Sequence, residues 1–274
     1  MTGTVLSLSL RQNVRVTGIY DEPELYELAC AYRDVGSEVD ALERWYTRHA
    51  APAGPASVLE LAAGPADHAL EFARRGVPVT ALDLSAAMCA RARDKAAAAG
   101  VKLDVVRGDM RDFTVPRPVD LAITMLNSAC HLMTLDDLVA HVAAVSGAVV
   151  PGGLYILELA HPADLLTPVP RTSSEWDSEV GDRRVHVRWG GGEDVIDPVT
   201  QVTREHVQVT VRDGAGIRTL ADVVPNRFWT ATEIAAAVRL AGGFGAAARY
   251  GDFTDDVDLS DRQAWRMIFV LRRD

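Results

Sequence analysis

Residues 58–66 read VLELAAGPA, a short apolar run that leads into a loop of small residues. The run predicts a buried strand over 57–61, and the residues after the loop predict a helix over 66–75. Small residues at such a turn let a ligand approach the backbone, and the first helical turn offers N–H groups without partners inside the helix. The stretch therefore predicts a strand–loop–helix unit with a ligand site at its loop.

Short apolar runs and helical stretches continue to alternate along the chain, at intervals of roughly 20–25 residues. Strands are predicted over 57–61, 77–82, 103–107, 120–125, 154–159, 246–250 and 265–271, and helices over 66–75, 86–99, 135–148 and 230–240. The alternation predicts parallel βαβ units, and the near-continuous apolar strands predict a sheet covered on both faces. We expect an α/β fold with a Rossmann-like, doubly wound, mostly parallel seven-stranded sheet.

Two segments depart from this alternation. Residues 20–49 carry apolar residues at helical spacing, and Gly36 and Ser37 are expected to divide them into two helices. Residues 171–224 alternate apolar and polar side chains, which predicts an antiparallel insert with one solvated face. The expected organisation is an N-terminal helical lid (1–50), a sheet domain (51–170 and 225–274) and an antiparallel β insert that shapes the acceptor pocket (171–224).

The composition narrows the class of partner. Among 274 residues, 28 Lys and Arg stand against 38 Asp and Glu, and the net charge of −10 disfavours nucleic acid. No apolar run is long enough to span a membrane, and the N-terminus lacks the pattern of a secretory signal. The three cysteines and seven histidines lack metal-ligand spacing, so no metal is expected. We expect a cytoplasmic protein, monomeric or homodimeric, that acts on a small molecule.

Acidic residues stand at or just after the ends of three of the predicted strands, at the edge where open α/β sheets bind ligands. Glu60 stands beside the small-residue loop and suits a positively charged group; at a simple tight turn it would face solvent. Asp83 suits ribose hydroxyls or else caps the next helix, although Ser85 is closer to that helix. Asp109 suits the exocyclic amine of an adenine, with Met110 on the ring, although a Gly-Asp pair is also a common turn.

His131 follows the fourth strand, where a substrate would meet the reacting end of the ligand. Its ordinary pKa of about 6.5 suits a general base, although a lone histidine is more often structural. Cys130 is expected to pack in the core. In the N-terminal helices, Tyr26 is a candidate for the reacting centre and Arg33 for a ligand carboxylate, although helix aromatics usually belong to the core.

The insert adds Trp176, Trp189, His186 and Arg188 as candidates for the pocket wall. The alternation alone does not determine which of its faces is inward.

Together these motifs resemble the class I S-adenosylmethionine-dependent methyltransferase family. The resemblance is carried by residues 60–66 (ELAAGPA), 82–85 (LDLS), 108–110 (GDM) and 151–154 (PGGL). Residues 20–26, 228–244 and 250–252 are similar to bacterial small-molecule members, in particular the sugar N-methyltransferases of natural-product biosynthesis. Those members also carry an antiparallel insert after the fifth strand, and some place a histidine where His131 stands.

The resemblance implies S-adenosylmethionine as cofactor, with the loop 60–66 at its methionine moiety, Asp83 at its ribose, and Asp109 and Met110 at its adenine. The expected cofactor-binding residues are Glu60, Ala62, Gly64, Asp83, Leu84, Asp109, Met110, Met125 and Arg33, and the expected catalytic residues are His131 and Tyr26. Family members usually carry glycine where Ala62 and Ala66 stand. Alanine costs little there if both residues keep a negative φ.

The implied reaction is methyl transfer to a small-molecule acceptor in natural-product metabolism, with S-adenosylhomocysteine as product. N-, O- and C-methylation stay open at this level. The alternatives are a non-catalytic module that binds S-adenosylmethionine or S-adenosylhomocysteine, and a nicotinamide-dependent oxidoreductase. The G-x-G-x-x-G fingerprint of the latter is absent from the sequence.

Overall fold

The computed structural model describes residues 13–16, 18–166 and 172–274. The strands of these residues are β1 (Asn13–Val16), β2 (Val58–Leu61), β3 (Val79–Asp83), β4 (Asp104–Arg107), β5 (Val119–Thr124), β6 (Val149–Ala160), β7 (Glu175–Val180), β8 (Arg183–Trp189), β9 (Val202–Asp213), β10 (Gly216–Arg227), β11 (Phe244–Tyr250) and β12 (Arg266–Arg273). The helices are α1 (Pro23–Ala29), α2 (Val35–His49), α3 (Asp67–Arg74), α4 (Ala86–Ala99), α5 (Leu135–Ala148), α6 (Ala163–Leu166) and α7 (Ala231–Ala241). Two 3-10 turns cover Ile19–Asp21 and Ser128–His131. Within the described ranges, no helix has the length and apolar character needed to cross a bilayer.

The predicted seven-stranded sheet is confirmed. Its strand order is β4-β3-β2-β5-β6-β12-β11, with the first five strands parallel and β12 and β11 antiparallel to their neighbours. Leu61 at the end of β2 pairs with Leu82 of β3 and Thr124 of β5. The carboxyl ends of these strands therefore meet at one edge, as the sequence motifs require.

Apolar helices cover both faces of this sheet. One cluster joins α5 and α7 to the sheet through buried side chains such as Leu138, Ile234 and Tyr155. The other joins α2, α3 and α4 through Trp45, Phe72 and neighbouring side chains. Burial on both faces explains why these strands lack alternation in the sequence.

The second sheet has the order β1-β10-β9-β8-β7, in which β7 to β10 are antiparallel and β1 joins β10 in parallel. The predicted antiparallel strands are confirmed, although β10 extends to Arg227, beyond the expected end at 224. Val187, Val209 and their neighbours form an apolar face that packs on Leu28 and Ala29 of α1. This face is therefore the inward one, and the N-terminal helix covers it.

The break between the two N-terminal helices is a correction to the sequence prediction. The helices are separated by residues 30–34, whereas Gly36 and Ser37 lie in the first turn of α2. The reason is a cap: the Asp34 carboxylate accepts a hydrogen bond from the Ser37 N–H at 3.0 Å. The first twelve residues of the expected lid, and residues 167–171 next to the expected insert boundary, lie outside the described residues.

Candidate active site

A cavity of about 1510 Å³ opens at the carboxyl ends of β2, β3 and β4, between the two sheets. Pockets for a single small ligand are commonly about 300–1,000 Å³, so this cavity has room for two small molecules. Eight of the predicted site residues line it: Tyr26, Ala62, Gly64, Asp83, Leu84, Asp109, Met110 and His131. Of the insert candidates, Trp176 and Trp189 line it as well, while His186 and Arg188 stand on the other face of β8.

The loop after β2 is turned by left-handed residues at alternate positions. Ala62 has a φ of 50°, Gly64 of 55° and Ala66 of 62°. Alanine was expected to cost little at positions 62 and 66 if both residues kept a negative φ. Both have a positive φ, so this condition is not met. A left-handed alanine costs roughly 1–2 kcal/mol, which the packing of this loop must offset.

Asp83 ties this loop to the start of α4. Its Oδ2 accepts a hydrogen bond from the Gly64 N–H at 2.7 Å, and its Oδ1 accepts one from the Ser85 N–H at 2.8 Å. Ser85 is the N-cap of α4, so Asp83 does not serve as that cap. Burial raises the pKa of Asp83, while these backbone donors oppose the increase. The carboxylate still faces the cavity and keeps lone pairs for further donors.

Asp109 is held by an arginine that the sequence prediction did not include. Arg111 Nη2 lies 2.6 Å from Asp109 Oδ2, and Arg111 also pairs with Asp137 at the start of α5. The hydrogen bond from Arg111 lowers the pKa of Asp109. The pair fixes an ionised carboxylate at the mouth of the cavity, next to the apolar side chain of Met110.

His131 lies against Tyr20, with 2.9 Å between His131 Nε2 and the Tyr20 hydroxyl. Burial lowers the pKa of His131, although a hydrogen bond to the Pro225 carbonyl acts in the opposite direction. A carbonyl only accepts, so the ring donates to it, and in the neutral ring Nε2 accepts the hydrogen of Tyr20. Both ring nitrogens of His131 are therefore engaged.

Tyr26 stands beside the small-residue loop. A side chain at Gly64 would place its Cβ 3.7 Å from Tyr26 Cε1, so the ring packs directly over that glycine. Burial raises the pKa of Tyr26 well above its ordinary range, which keeps its hydroxyl protonated. The ring also contacts Tyr20 and Trp189, with ring centroids 5.8 and 6.4 Å apart.

Glu60, Arg33 and Met125 are absent from the described wall of the cavity. Glu60 is buried beneath the loop, where Oε2 accepts the Ala69 N–H at 2.8 Å and Oε1 faces His68. Arg33 is buried against Glu158, and Met125 is 3% exposed in the core. Because their polar groups are already paired or buried, their placement favours support of the site over direct contact with a ligand.

Glu205, which was not among the predicted site residues, lines the cavity from strand β9. Its Oε2 accepts hydrogen bonds from Trp189 Nε1 at 3.0 Å and from the Asn226 amide. Glu205 occupies the same face of β9 as Val207 and Val209. A carboxylate at an inward position of an alternating strand was the available signal.

Acidic side chains outnumber basic ones among the described residues of the wall: Asp21, Asp83, Asp109, Asp164, Asp177, Asp194 and Glu205 against Arg107, Arg111 and Arg266. Arg111 and Arg266 are also paired with carboxylates, Arg111 with Asp109 and Arg266 with Glu158. The cavity therefore favours positively charged ligands.

Part of the chain matches a known methyltransferase domain. Residues 58–153 match the family model described as a methyltransferase domain. A dTDP-3-amino-3,4,6-trideoxy-alpha-D-glucopyranose N,N-dimethyltransferase of Streptomyces venezuelae is 31% identical over 102 residues, which are 37% of this chain and 41% of that relative. The chain matches about two fifths of the length of its curated relatives.

Solved structures extend the likeness over nearly the whole chain. Streptomyces venezuelae DesVI has a TM-score of 0.77 at 24% identity, over 92% of this chain and 98% of that one. S-adenosylmethionine-bound CalS10, an amino pentose methyltransferase from Micromonospora echinaspora, has a TM-score of 0.70 at 24% identity, over 91% and 97%. At these identities the likeness establishes the fold, including the second sheet.

Proposed function

We propose, from the match of residues 58–153 to a methyltransferase domain, that the chain is a class I S-adenosylmethionine-dependent methyltransferase and that it transfers a methyl group to the amine of a small-molecule natural product, such as an amino sugar. S-adenosylhomocysteine is the second product. Asp83 carries the proposal: it ends β3 within the matched domain, holds the loop through Gly64, and faces a cavity with room for cofactor and acceptor.

The cavity residues fit this cofactor. Ala62 and Gly64 leave the backbone accessible to a methionine moiety, and Asp83 can accept hydrogen bonds from ribose hydroxyls. Met110 and Leu84 offer apolar surface to an adenine beside Asp109. The excess of acidic side chains suits a sulfonium. Glu60, Arg33 and Met125 would support this site from beneath.

When bound, S-adenosylmethionine supplies a methyl group on a positively charged sulfur, and the sulfur is the leaving group when the acceptor lone pair attacks the methyl carbon in line. The chain must hold the acceptor nitrogen in line, exclude water and receive a proton. Tyr26 covers the loop at Gly64, and residues of the strands β8 to β10 line the same cavity. The Tyr20 oxygen, whose hydrogen points to His131, can accept the N–H of the acceptor and so orient its lone pair.

His131 was predicted as the general base, and its contacts define how it would act. Because Nε2 is engaged with Tyr20, a proton from the acceptor would reach His131 through that hydroxyl. The Tyr20 hydroxyl would accept the proton of the acceptor while it donates its own proton to His131 Nε2. We propose orientation of the acceptor as the main role of the pair.

Two observations support an amine as the acceptor. The acidic wall attracts an ammonium more strongly than a neutral hydroxyl. The curated relative over the matched domain methylates the amine of a sugar nucleotide. Amino sugars of natural products combine that amine with a ring that the cavity can enclose.

The test begins with calorimetric titration of S-adenosylhomocysteine, with NAD as the comparison ligand. Methyl transfer is then measured by mass spectrometry on the dTDP-amino sugar of the relative, on free amino sugars and on their hydroxyl counterparts. We expect S-adenosylhomocysteine to bind, NAD not to bind, and methylation at nitrogen. Binding without turnover of any amine would favour the non-catalytic module, and methylation of only the hydroxyl compounds would contradict an amine acceptor.

A further inference from the structure

Among the described residues, one carboxylate oxygen of Glu205 has no hydrogen-bond partner. Trp189 Nε1 and the Asn226 amide both donate to Oε2, while the described residues offer no hydrogen-bond donor to Oε1. Asn226 is fixed in turn by the Cys130 thiol, which donates to its Oδ1 at 3.1 Å. The carboxylate is thus held in a single orientation at the cavity wall, with one oxygen free.

In the described part of the chain, a second polar group beside Glu205 also lacks a hydrogen-bond partner. Thr203 lies two residues earlier on the same face of β9 and lines the same cavity. It is only 3% exposed, and its hydroxyl has no hydrogen-bond partner among the described residues. Buried hydroxyls rarely stay unpaired, so the pairing is expected to come from a ligand.

From these contacts we propose that Glu205 Oε1 binds the ammonium of the acceptor and takes its proton, with the Thr203 hydroxyl bound to a neighbouring polar group of the acceptor. This assignment rests on the proposed methyl transfer and deepens it to an amine substrate that enters as a cation. It adds a catalytic residue on strand β9, in the wall of the cavity that the loop also lines.

The proton balance of the step is simple. The ammonium R–NH₃⁺ gives one proton to the Glu205 carboxylate, which becomes the neutral acid, and leaves R–NH₂ with a lone pair. The new N–C bond forms as the C–S bond breaks, and the positive charge passes from sulfur to nitrogen. The acid form of Glu205 then releases its proton to solvent.

The electrostatic environment suits this role. Burial raises the pKa of Glu205 to about 7, against the hydrogen bonds from Asn226 and Trp189. Its titratable neighbours are Asp194, which raises its pKa further, and Cys130 and Tyr20, which stay protonated. His131 lines the same cavity with a lowered pKa, which makes it the weaker base. A carboxyl that titrates near neutrality can both attract a cation and accept its proton.

The test uses two six-membered rings of similar shape, cyclohexylamine and cyclohexanol. Binding is followed by the ¹⁵N–¹H resonance of the Trp189 indole, assigned with Trp189→Phe, with and without S-adenosylhomocysteine. Glu205→Gln preserves the shape and the indole acceptor but removes the charge. Glu179→Gln, an exposed carboxylate of β7 in the same sheet, is the matched control.

We expect saturable binding of cyclohexylamine, at least about tenfold tighter than that of cyclohexanol, because only the amine brings a charge to the carboxylate. Glu205→Gln should weaken the amine about tenfold and Glu179→Gln should not. In the wild type, affinity for the amine should rise about tenfold between about pH 6 and pH 8, where a carboxyl with a pKa of about 7 ionises.

Equal binding of the two rings, unchanged amine binding in Glu205→Gln, or no response of the indole to either ring would overturn the assignment. Calorimetry with S-adenosylhomocysteine on the same samples separates this result from the proposed function. If S-adenosylhomocysteine does not bind, the proposed cofactor is rejected. The binding of cyclohexylamine measured in the absence of S-adenosylhomocysteine still tests the role of Glu205.

Discussion

Arg33 and Glu158, 125 residues apart in the chain, form a buried ion pair with two hydrogen bonds, Nη1 to Oε1 at 3.1 Å and Nη2 to Oε2 at 3.0 Å. Arg33 also contacts Glu38, whose Oε2 lies 2.8 Å from His68 Nε2. The other nitrogen of His68 faces Glu60 at 3.2 Å. These five side chains alternate in charge when His68 is protonated, and they join the N-terminal helices to β6, α3 and β2.

The network makes stability depend on pH through His68. Burial lowers its pKa, but the hydrogen bonds from His68 to Glu38 and Glu60 outweigh burial and raise the pKa to about 9. The stabilisation should be fully present below the unfolded pKa of about 6.5 and lost as pH rises toward 9, a decrease on the order of 3 kcal/mol. Urea unfolding at several pH values, compared with His68→Gln, measures it. His186→Gln, at an exposed histidine, should follow the wild type; parallel curves for wild type and His68→Gln would contradict the network.

Asp83→Asn should weaken S-adenosylhomocysteine binding about tenfold to a hundredfold, because the amide loses the charge-assisted bonds of the carboxylate. Its NH₂ would also face either the Gly64 or the Ser85 N–H. Calorimetry gives the affinity. Asp120→Asn is the control, since Asp120 accepts from Ser57 at the opposite edge of the same sheet. Equal affinities in the two variants would reject the assignment of Asp83.

Tyr20→Phe removes the hydroxyl that His131 holds and should lower kcat at least about tenfold, since acceptor alignment depends on it. Affinity for S-adenosylhomocysteine should stay within about twofold, because the Ser85 hydroxyl bonds the Tyr20 carbonyl and not the ring. Tyr46→Phe, at a tyrosine of α2 outside the described cavity wall, is the control. His131→Gln should lower kcat without moving the acid limb of the pH profile. A moved limb would make His131 the base and not Glu205.

Ala62→Gly should raise the free energy of unfolding by about 0.5–1 kcal/mol, because glycine adopts the φ of 50° without the steric cost of a Cβ. Ala97→Gly, at an exposed position inside α4, should lower it by about 1 kcal/mol. Denaturant unfolding of both variants measures the two opposite effects. Destabilisation of the same size in both would mean that the left-handed turn is not strained.

Much of the first sheet could be predicted from local patterns. Helices α4 and α5 begin and end at the predicted residues, 86–99 and 135–148, because caps and apolar spacing are local properties. The position of Asp83 at the end of β3 also follows from a local pattern, the apolar run that precedes it. The left-handed φ of Ala62 and Ala66 could not be predicted from local patterns, because it is imposed by the strand before the loop and the helix after it.

The sequence by itself determined the parallel βαβ units, the alternation of the second sheet and the sheet edge where the site lies, because these follow from periods of apolar residues and from strand direction. Only the tertiary structure decided which side chains meet there. Tyr20 reaches His131 across 111 residues, and the pairing of Thr203 with Asn226 in β9 and β10 brings Glu205 within reach of the Asn226 amide. Such contacts depend on strand register and on the docking of α1, and residues so far apart in sequence carry no local pattern that predicts them.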